Sequence, residues 1–248
     1  RLSRSVTDPH LESLQFISSA GSFDRTGQRL ALGAIAKGRP LLLIMDTRKG
    51  SPEKQVAFPE LGEILTPTWS PDGTSIAFSA VVSGFTDLYR YELAAGKLTR
   101  LTHDTYADLQ PAWSPDGKSL AFVSDRFSTK LPTLELGNYR LALFDLASGE
   151  LRALPGFERA KHVNPQWSPT GESAYFLSDR SGATNIYRLE LASGSLFQLT
   201  DLLTGASGIT ALSPALSSAA IRNRLAYSVY QADRYEIYTI DEAEKLAG

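Results

Sequence analysis

One five-residue string recurs in this chain and constrains its fold more than any other feature. Trp-Ser-Pro-Asp-Gly occurs at 69–73 and again at 113–117, and the near copy Trp-Ser-Pro-Thr-Gly follows at 167–171. Each copy precedes residues that alternate between apolar and polar, as in a half-buried β-strand. A turn sequence that returns about every 45 to 55 residues, each time before a strand, indicates a fold built from tandem sheet units.

The repeat can be followed by the large residue that opens each copy. The aligned positions are Phe23, Trp69, Trp113, Trp167 and, more weakly, Leu212. The third unit is the clearest, and it predicts four antiparallel strands at 111–114, 119–124, 139–145 and 150–154. In its turn, proline presets φ, the Asp116 side chain binds nearby backbone amides, and Gly117 takes a positive φ. Helix signals are limited to 216–222 and 241–246, each predicted as a single turn.

These units predict an all-β fold, a β-propeller of four-stranded antiparallel blades with five repeats visible. One such sheet cannot bury both of its faces, whereas several sheets packed face to face around an axis can. We therefore expect Trp69, Trp113 and Trp167 to pack between neighbouring blades rather than to form a ligand platform. The predicted units are approximately 9–58, 59–104, 105–156, 157–202 and 203–248. The alternative is a six-bladed ring with one blade outside the chain.

The start of the chain predicts how the ring closes. Residues 1–8 match the fourth-strand sequence at 97–104, and the last unit stops where its own fourth strand would begin. We expect 1–8 to complete the last blade as a closing outer strand that covers an exposed sheet edge. In the competing explanation, the chain was cut from a longer array between repeats.

Composition excludes several classes of function. Among 248 residues, 25 basic and 27 acidic side chains give a net charge of -2, so no general attraction to nucleic acid is expected. The longest apolar run, 41–45, is strand-sized, and no membrane insertion of this chain is predicted. Without cysteine there is no disulfide framework and no thiolate zinc site. No cofactor is predicted, and residues 1–9 contain no visible export signal.

The repeat resembles that of the TolB-type, or WD40-like (PD40), β-propeller family. Besides the recurring string, the strings at 124–126 and 178–180 match the family's Ser-Asp-Arg element, and Asp46, Asp145 and Asp241 match the acidic residue that ends its third strand. The resemblance implies a closed ring, often six-bladed, in exported or cell-envelope bacterial proteins. Such rings bind other proteins or accompany a peptidase domain. The shared residues are structural, so no catalytic residue is carried over.

No catalytic motif stands out. The Gly-x-Ser-x-Gly string of serine hydrolases is absent, and its nearest approach, at 205–208, has no histidine after it. The three histidines, His10, His103 and His162, are scattered over different units and are interpreted as neutral loop residues. His103, Asp104 and Asp108 offer ligand atoms, but their spacing fits no dedicated metal loop, and the acids are interpreted as solvated. Asp125 and Asp179 recur in equivalent places, which favours a repeated structural hydrogen bond.

The candidate recognition residues lie near the predicted channel mouth. First strands line the channel, and the residue before each first-strand proline is Thr66, Gln110 or Asn164, with Ala20 and Ile209 in the less regular units. His103 and His162 complete this candidate set. Such a mixed, weakly charged ring suits a loop, a chain terminus or an extended peptide. The insertion at 127–137 is a second place for recognition, or a harmless variation.

The preferred function is therefore a non-catalytic protein-binding scaffold of the bacterial cell envelope, periplasmic or otherwise exported. Its partner would be a protein, a peptide or a linked domain of the same protein. The alternative is an accessory or gating propeller domain of a larger peptidase. A ring with its own lyase or hydrolase site ranks third, because the histidines are scattered.

Overall fold

The computed structural model describes residues 13–14 and 19–246, and these residues are almost entirely β-strand and turn. The chain divides into two compact units, residues 1–111 and 112–248. The strands form five antiparallel sheets, the blades, in which neighbouring strands follow one another in the sequence. This is the predicted fold class, an all-β propeller of antiparallel blades.

The first unit contains two complete blades. The first consists of β1 (Ser13–Leu14), β2 (Ser22–Phe23), β3 (Arg29–Ala36), β4 (Arg39–Asp46) and β5 (Ser51–Ala57). Because β1 and β2 both pair with β3, they form one interrupted inner strand, and the blade has four strand positions. The second blade consists of β6 (Glu63–Trp69), β7 (Ser75–Val82), β8 (Phe85–Glu92) and β9 (Lys97–Arg100).

The remaining three blades are shorter. The third consists of β10 (Asp108–Trp113), in which the boundary between the units falls, β11 (Ser119–Ser124), β12 (Arg140–Asp145) and β13 (Leu151–Ala153). The fourth consists of β14 (His162–Trp167), β15 (Ser173–Ser178), β16 (Asn185–Glu190) and β17 (Leu196–Gln198). The fifth has three described strands, β18 (Leu216–Ser218), β19 (Arg224–Gln231) and β20 (Arg234–Asp241). Two 3₁₀ turns lie at Leu131–Thr133 and Ala243–Lys245.

Apolar side chains fill the space between consecutive blades within each unit. In the first unit, Leu42 and Ile44 of β4 pack in one cluster with Trp69, Ile76 and Phe78 of the second blade. In the second unit, a cluster contains Tyr175, Leu177 and Ile186 of the fourth blade with Leu216 and Leu225 of the fifth. In these two pairs, one blade buries a face against the next, which is the packing that the repeat predicts.

The recurring string forms the same turn in two blades, and its chemistry explains the sequence. Ser70 Oγ donates to Asp72 Oδ1 at 2.6 Å and accepts from the Ser75 backbone N–H at 2.9 Å. Ser114 and Asp116 repeat the 2.6 Å contact. In the fourth blade Thr170 replaces the aspartate, and its Oγ1 lies 3.1 Å from Ser168 Oγ. The predicted backbone bond also exists, from the Thr74 N–H to Asp72 Oδ1 at 3.0 Å.

The structure corrects two expectations for the fifth blade. Trp69 pairs with Ile76 and Trp167 with Ala174, whereas the residue that pairs with the equivalent Leu225 is Ser218 rather than Leu212. Residues 216–218, predicted as the start of a helical turn, form strand β18. The turn sequence of the fifth unit lacks the glycine of the other copies, so Leu212 was aligned wrongly with the tryptophans. A longer loop places the inner strand several residues later, at β18. The predicted closing strand at 1–8 lies outside the described residues.

Candidate functional site

The three residues before the first-strand prolines share an unusual backbone conformation. Thr66, Gln110 and Asn164 have φ values of 49, 56 and 56°. This is the left-handed region, which residues with a side chain rarely adopt. Strand pairing shifts register at the same place, between Leu65 and Thr68 and between Val163 and Gln166. Thr66 and Asn164 therefore occupy a repeated β-bulge, a feature that redirects side chains from an inner strand, and Gln110 shares their backbone conformation.

The side chain of Asn164 has a clear structural partner. It is 3% exposed, and its Oδ1 accepts hydrogen bonds from the backbone N–H groups of Ala215 and Leu216, at 2.9 and 2.7 Å. The carboxamide thereby fastens the bulge of the fourth blade to the entry of β18. Gln110 is also buried, at 4% exposed, and the Thr66 backbone N–H donates to Ser19 Oγ at 2.7 Å. Ala20 is half-buried and Ile209 is exposed.

His162, the first residue of β14, is fully buried and bonded through both ring nitrogens. Nε2 accepts from the Phe157 N–H at 2.9 Å, and Nδ1 lies 2.9 Å from the Ala160 carbonyl oxygen. These contacts fix the tautomer with hydrogen on Nδ1. Burial, and then the nearby Arg140 charge, lower the pKa of His162 from 6.5 to about 4. It is therefore neutral as predicted, but it is a core residue and not a loop residue.

His162 also shapes the loop in front of its strand. Its ring stacks on Phe176 at 5.1 Å and lies 5.8 Å from Phe157. A Cβ on Gly156 would meet Nε2 at 2.7 Å, so only glycine allows this close approach. The loop at 156–161 is thus held against the histidine by backbone bonds and ring contacts. His103, the other candidate histidine, is exposed in the loop after β9, and His10 lies outside the described residues.

Three carboxylates come together in the first unit, and sequence reasoning found only two of them. Ligand atoms of Asp87, Asp104 and Asp108 all lie within 4.8 Å of one another. Asp108 is fully buried, so its interpretation as a solvated loop acid is wrong. Asp87, on β8, was not singled out, because its strand lies some distance in sequence from the other two. It accepts from Arg100 Nη2 at 2.5 Å, and this bond raises the pKa of Arg100.

The fourth blade repeats the Asp87 arrangement without a charge. Thr102 Oγ1 donates to Asp87 Oδ1 at 3.2 Å and accepts from the Leu88 N–H at 3.0 Å. In the same way, Thr200 Oγ1 donates to Asn185 Oδ1 at 2.9 Å and accepts from the Ile186 N–H at 2.9 Å. An amide thus makes the same contacts as the carboxylate. This repetition assigns Asp87 a structural role at the end of its blade.

Asp179 makes a structural hydrogen bond, since its Oδ1 accepts from the Lys161 N–H at 2.8 Å, and the prediction that Asp125 repeats this bond stays a prediction. Residues next to this bond line a cavity of about 500 Å³; they are Gly156, Phe157, Glu158, Arg159, Ala160 and Arg180. The guanidinium of Arg180 lies 4.4 Å from the centre of the Phe157 ring. Sequence reasoning assigned Arg180 only to a repeat element and did not notice Arg159. An aromatic residue followed closely by arginine in the loop 155–161 was the available signal.

The insertion at 127–137 forms an ordered loop with an apolar exterior. Ser128 Oγ donates to the Asn138 carbonyl at 2.6 Å, and the Gly137 N–H donates to Thr129 Oγ1 at 2.9 Å. Lys130 and Glu135 form a backbone bridge and an ion pair of 2.7 Å. At the tip, Leu134 and Leu136 are 81% and 87% exposed. The loop therefore presents large apolar side chains on a hydrogen-bonded base.

No helix among the described residues is long and apolar enough to cross a membrane.

Comparison with known proteins agrees with the repeat. Residues 10–130 match the family model of the TolB beta propeller domain, PD40. Dipeptidyl-peptidase 5 of Porphyromonas gingivalis is 31% identical over 160 residues, which are 54% of this chain and 20% of the peptidase. This chain thus spans about one fifth of that relative.

Solved structures show the same fold. TolB from Acinetobacter baumannii superposes with a TM-score of 0.72 at 20% identity, over 90% of this chain and 51% of that one. A putative TolB from Agrobacterium tumefaciens gives 0.67 at 21% identity, over 91% and 77%. Identities at this level establish the architecture and leave the function to the site. Residues 10–130 of this chain therefore carry the repeat of the TolB-type, PD40 β-propeller family.

Proposed function

We propose that this chain is a non-catalytic binding module that holds a protein partner through the exposed apolar loop at 127–137. The observation that carries this proposal is the exposure of Leu134 and Leu136 on a loop that is otherwise tied down by hydrogen bonds. Exposed apolar groups on an ordered base are typical of protein-binding surfaces. Because the loop is held by bonds of its own, docking costs less conformational entropy.

The contacts of the titratable residues also support a binding role. Both nitrogens of His162 are engaged by the loop that it stabilises, and Asp87 is engaged by Arg100 and Thr102. A general base or a nucleophile needs a lone pair that is accessible to substrate. These residues instead use their hydrogen-bonding groups to support the fold. An envelope or exported location is proposed from the family resemblance.

The test compares the two exposed leucines of the loop with one exposed leucine elsewhere, in the full-length protein. Leu134→Asp/Leu136→Asp places charges on the loop, whereas Leu203→Asp changes a leucine that is 100% exposed elsewhere in the same unit. Partners would be captured with each variant and their binding then measured with purified components. We expect the double variant to lose at least tenfold in affinity while Leu203→Asp keeps it. Equal binding by all three proteins would refute the role of the loop.

A second candidate is an accessory domain beside a peptidase domain of the same protein. The similarity to dipeptidyl-peptidase 5 over 160 residues favours it, and so does the small share of that relative that this chain covers. The test is peptide hydrolysis by the full-length protein, with an active-site-directed fluorophosphonate and mapping of the labelled residue. A label outside residues 1–248 would support an accessory role. A label within them would contradict both proposals.

A further inference from the structure

The cavity beside His162 has the features of an anion-binding site. It is widely open to solvent and is lined by two arginines, one glutamate and one aromatic ring. Neither guanidinium, that of Arg159 or that of Arg180, donates a hydrogen bond or joins an ion pair within the described residues. Each therefore has its donors available to a ligand. By contrast, two arginines of the same unit, Arg224 and Arg234, are paired with carboxylates.

The cavity is preorganised by contacts beneath it. Phe157 is fixed through its N–H to His162 and packs edge-on against Tyr187 at 4.9 Å. Arg180 lies over the face of Phe157, which restricts the plane of the guanidinium. A stacked guanidinium loses less freedom when it binds a planar anion than a solvated one does. The pocket wall and one of its cations are thus held in place before any ligand arrives.

The charge of the lining selects the class of anion. The lining contains two positive charges, on Arg159 and Arg180, and one negative charge, on Glu158, so its net charge is +1. Nearby, Arg140 Nη1 donates to the Glu158 carbonyl at 3.3 Å and adds positive potential, in agreement with the lowered pKa of His162. A carboxylate carries one negative charge and has the planar geometry that an arginine fork binds in a bidentate manner. A dianionic phosphate would leave charge uncompensated and would be repelled by Glu158.

We propose that the cavity lined by Phe157, Arg159 and Arg180 binds a carboxylate of a peptide or protein partner. The carboxylate accepts hydrogen bonds from the two guanidinium groups, and the neighbouring apolar residue of the partner lies against Phe157. This inference rests on the proposed binding function and assigns one chemical determinant of the partner. A cavity of about 500 Å³ has room for one or two residues of an extended peptide.

The experiment uses three tripeptide probes that differ only in their carboxylates. Acetyl-Ala-Ala-Phe has a free C-terminal carboxylate, its amide has none, and acetyl-Ala-Glu-Phe-amide has only a side-chain carboxylate. Binding is followed by calorimetry and by amide chemical shifts in the chain. We expect at least one of the carboxylate probes to bind, and to bind about tenfold more tightly than the amide at low salt. Whichever carboxylate binds more tightly identifies its source, whereas equal binding of all three probes, or none, overturns the proposal.

Variants locate the site. Arg159→Gln and Arg180→Gln should each weaken binding of the carboxylate probe about tenfold, whereas Arg152→Gln, an exposed arginine on β13, should leave it unchanged. Glu158→Gln should tighten binding several-fold, and this gain cannot result from a folding defect. If inorganic phosphate displaces the probe more readily than acetate does, the proposed ligand class is wrong. If Leu134→Asp/Leu136→Asp loses its protein partners but the wild type binds none of the probes, then the proposed function stands and only this inference is refuted.

Discussion

The indole nitrogen of Trp69 donates a hydrogen bond to the carbonyl oxygen of Ser22, at 3.1 Å. Ser22 precedes Phe23, which occupies the same repeat position in the first blade, opposite Leu30. Trp167 makes the same contact with Ala112, at 3.0 Å, and Ala112 precedes Trp113. Each indole therefore joins its blade to the inner strand of the blade before it. The repeat uses tryptophan at this position for its N–H group as well as for its apolar area.

This hydrogen bond predicts that Trp69 contributes to the free energy of unfolding in two separate ways. Trp69→Phe keeps a large ring but leaves the Ser22 carbonyl without its donor, and it should lower the free energy of unfolding by about 1 kcal/mol. Trp69→Ala also empties a site that is 5% exposed and should cost about 3 to 5 kcal/mol. Urea unfolding measures both. Phe23→Ala is the control, because Phe23 is 56% exposed and should cost under about 1 kcal/mol. If Phe23→Ala lowers the free energy of unfolding as much as Trp69→Ala does, then the proposed packing role of Trp69 is wrong.

The bulge residue Asn164 should be more important for stability than its equivalent Thr66. Asn164→Ala removes the acceptor for the Ala215 and Leu216 N–H groups. Two buried N–H groups are then left without this acceptor, which should lower the free energy of unfolding by about 2 to 4 kcal/mol. In Thr66 the bond to Ser19 uses the backbone, so Thr66→Ala should change stability by less than about 1 kcal/mol. Thermal unfolding of the two variants provides the comparison. If Asn164→Ala is as mild as Thr66→Ala, the fastening role is wrong.

Replacing the carboxylate by an amide at Asp87 should cost less stability than replacing the amide by a carboxylate at Asn185. Asp87→Asn keeps an acceptor for Thr102 and should cost about 1 kcal/mol, because Arg100 is partly exposed and can be solvated. Asn185→Asp places a carboxylate at a position 1% exposed, where the residue equivalent to Arg100 is the neutral Gln198. We expect it to cost about 2 to 4 kcal/mol at pH 7. Denaturant midpoints at pH 7 and pH 5 should show the Asn185→Asp defect decrease at the lower pH. An equal cost for both exchanges would contradict the repeat argument.

Sequence periodicity was sufficient to predict the blades because each strand obeys a local rule. The second strand of the third blade, at 119–124, has the predicted limits, and the turn at 70–75 contains the predicted aspartate bond. The prediction of the inner strand failed in the fifth blade. The turn there lacks its glycine, so no local sequence signal marks the start of β18. The carboxylate group and the arginine cavity depend on residues brought together by packing between strands. Spacing along the chain does not encode such contacts, so Asp87 could not be found from it, and the only sequence signal for Arg159 was the nearby Phe157.

The buried histidine makes stability depend on pH in a defined window. The pKa of His162 is about 4 in the folded chain and 6.5 in a solvated histidine, so the unfolded chain binds the proton more tightly. Stability should therefore be full above pH 6.5 and should fall with decreasing pH, by about 3 kcal/mol at pH 4. Hydrogen bonds to Asp24, Asp72 and Asp116 lower their pKa values below 3.8, so these groups contribute little to that window.

Urea unfolding of the wild type at pH 7, 6, 5 and 4.5 measures this slope. His162→Gln keeps a donor and an acceptor for the Ala160 and Phe157 backbone groups but cannot titrate, so its stability should change little over the same range. His103→Gln changes an exposed histidine and should retain the slope of the wild type. If His162→Gln and the wild type lose stability in parallel, then another group is responsible for the pH dependence. The neutral, core role of His162 would then have to be abandoned.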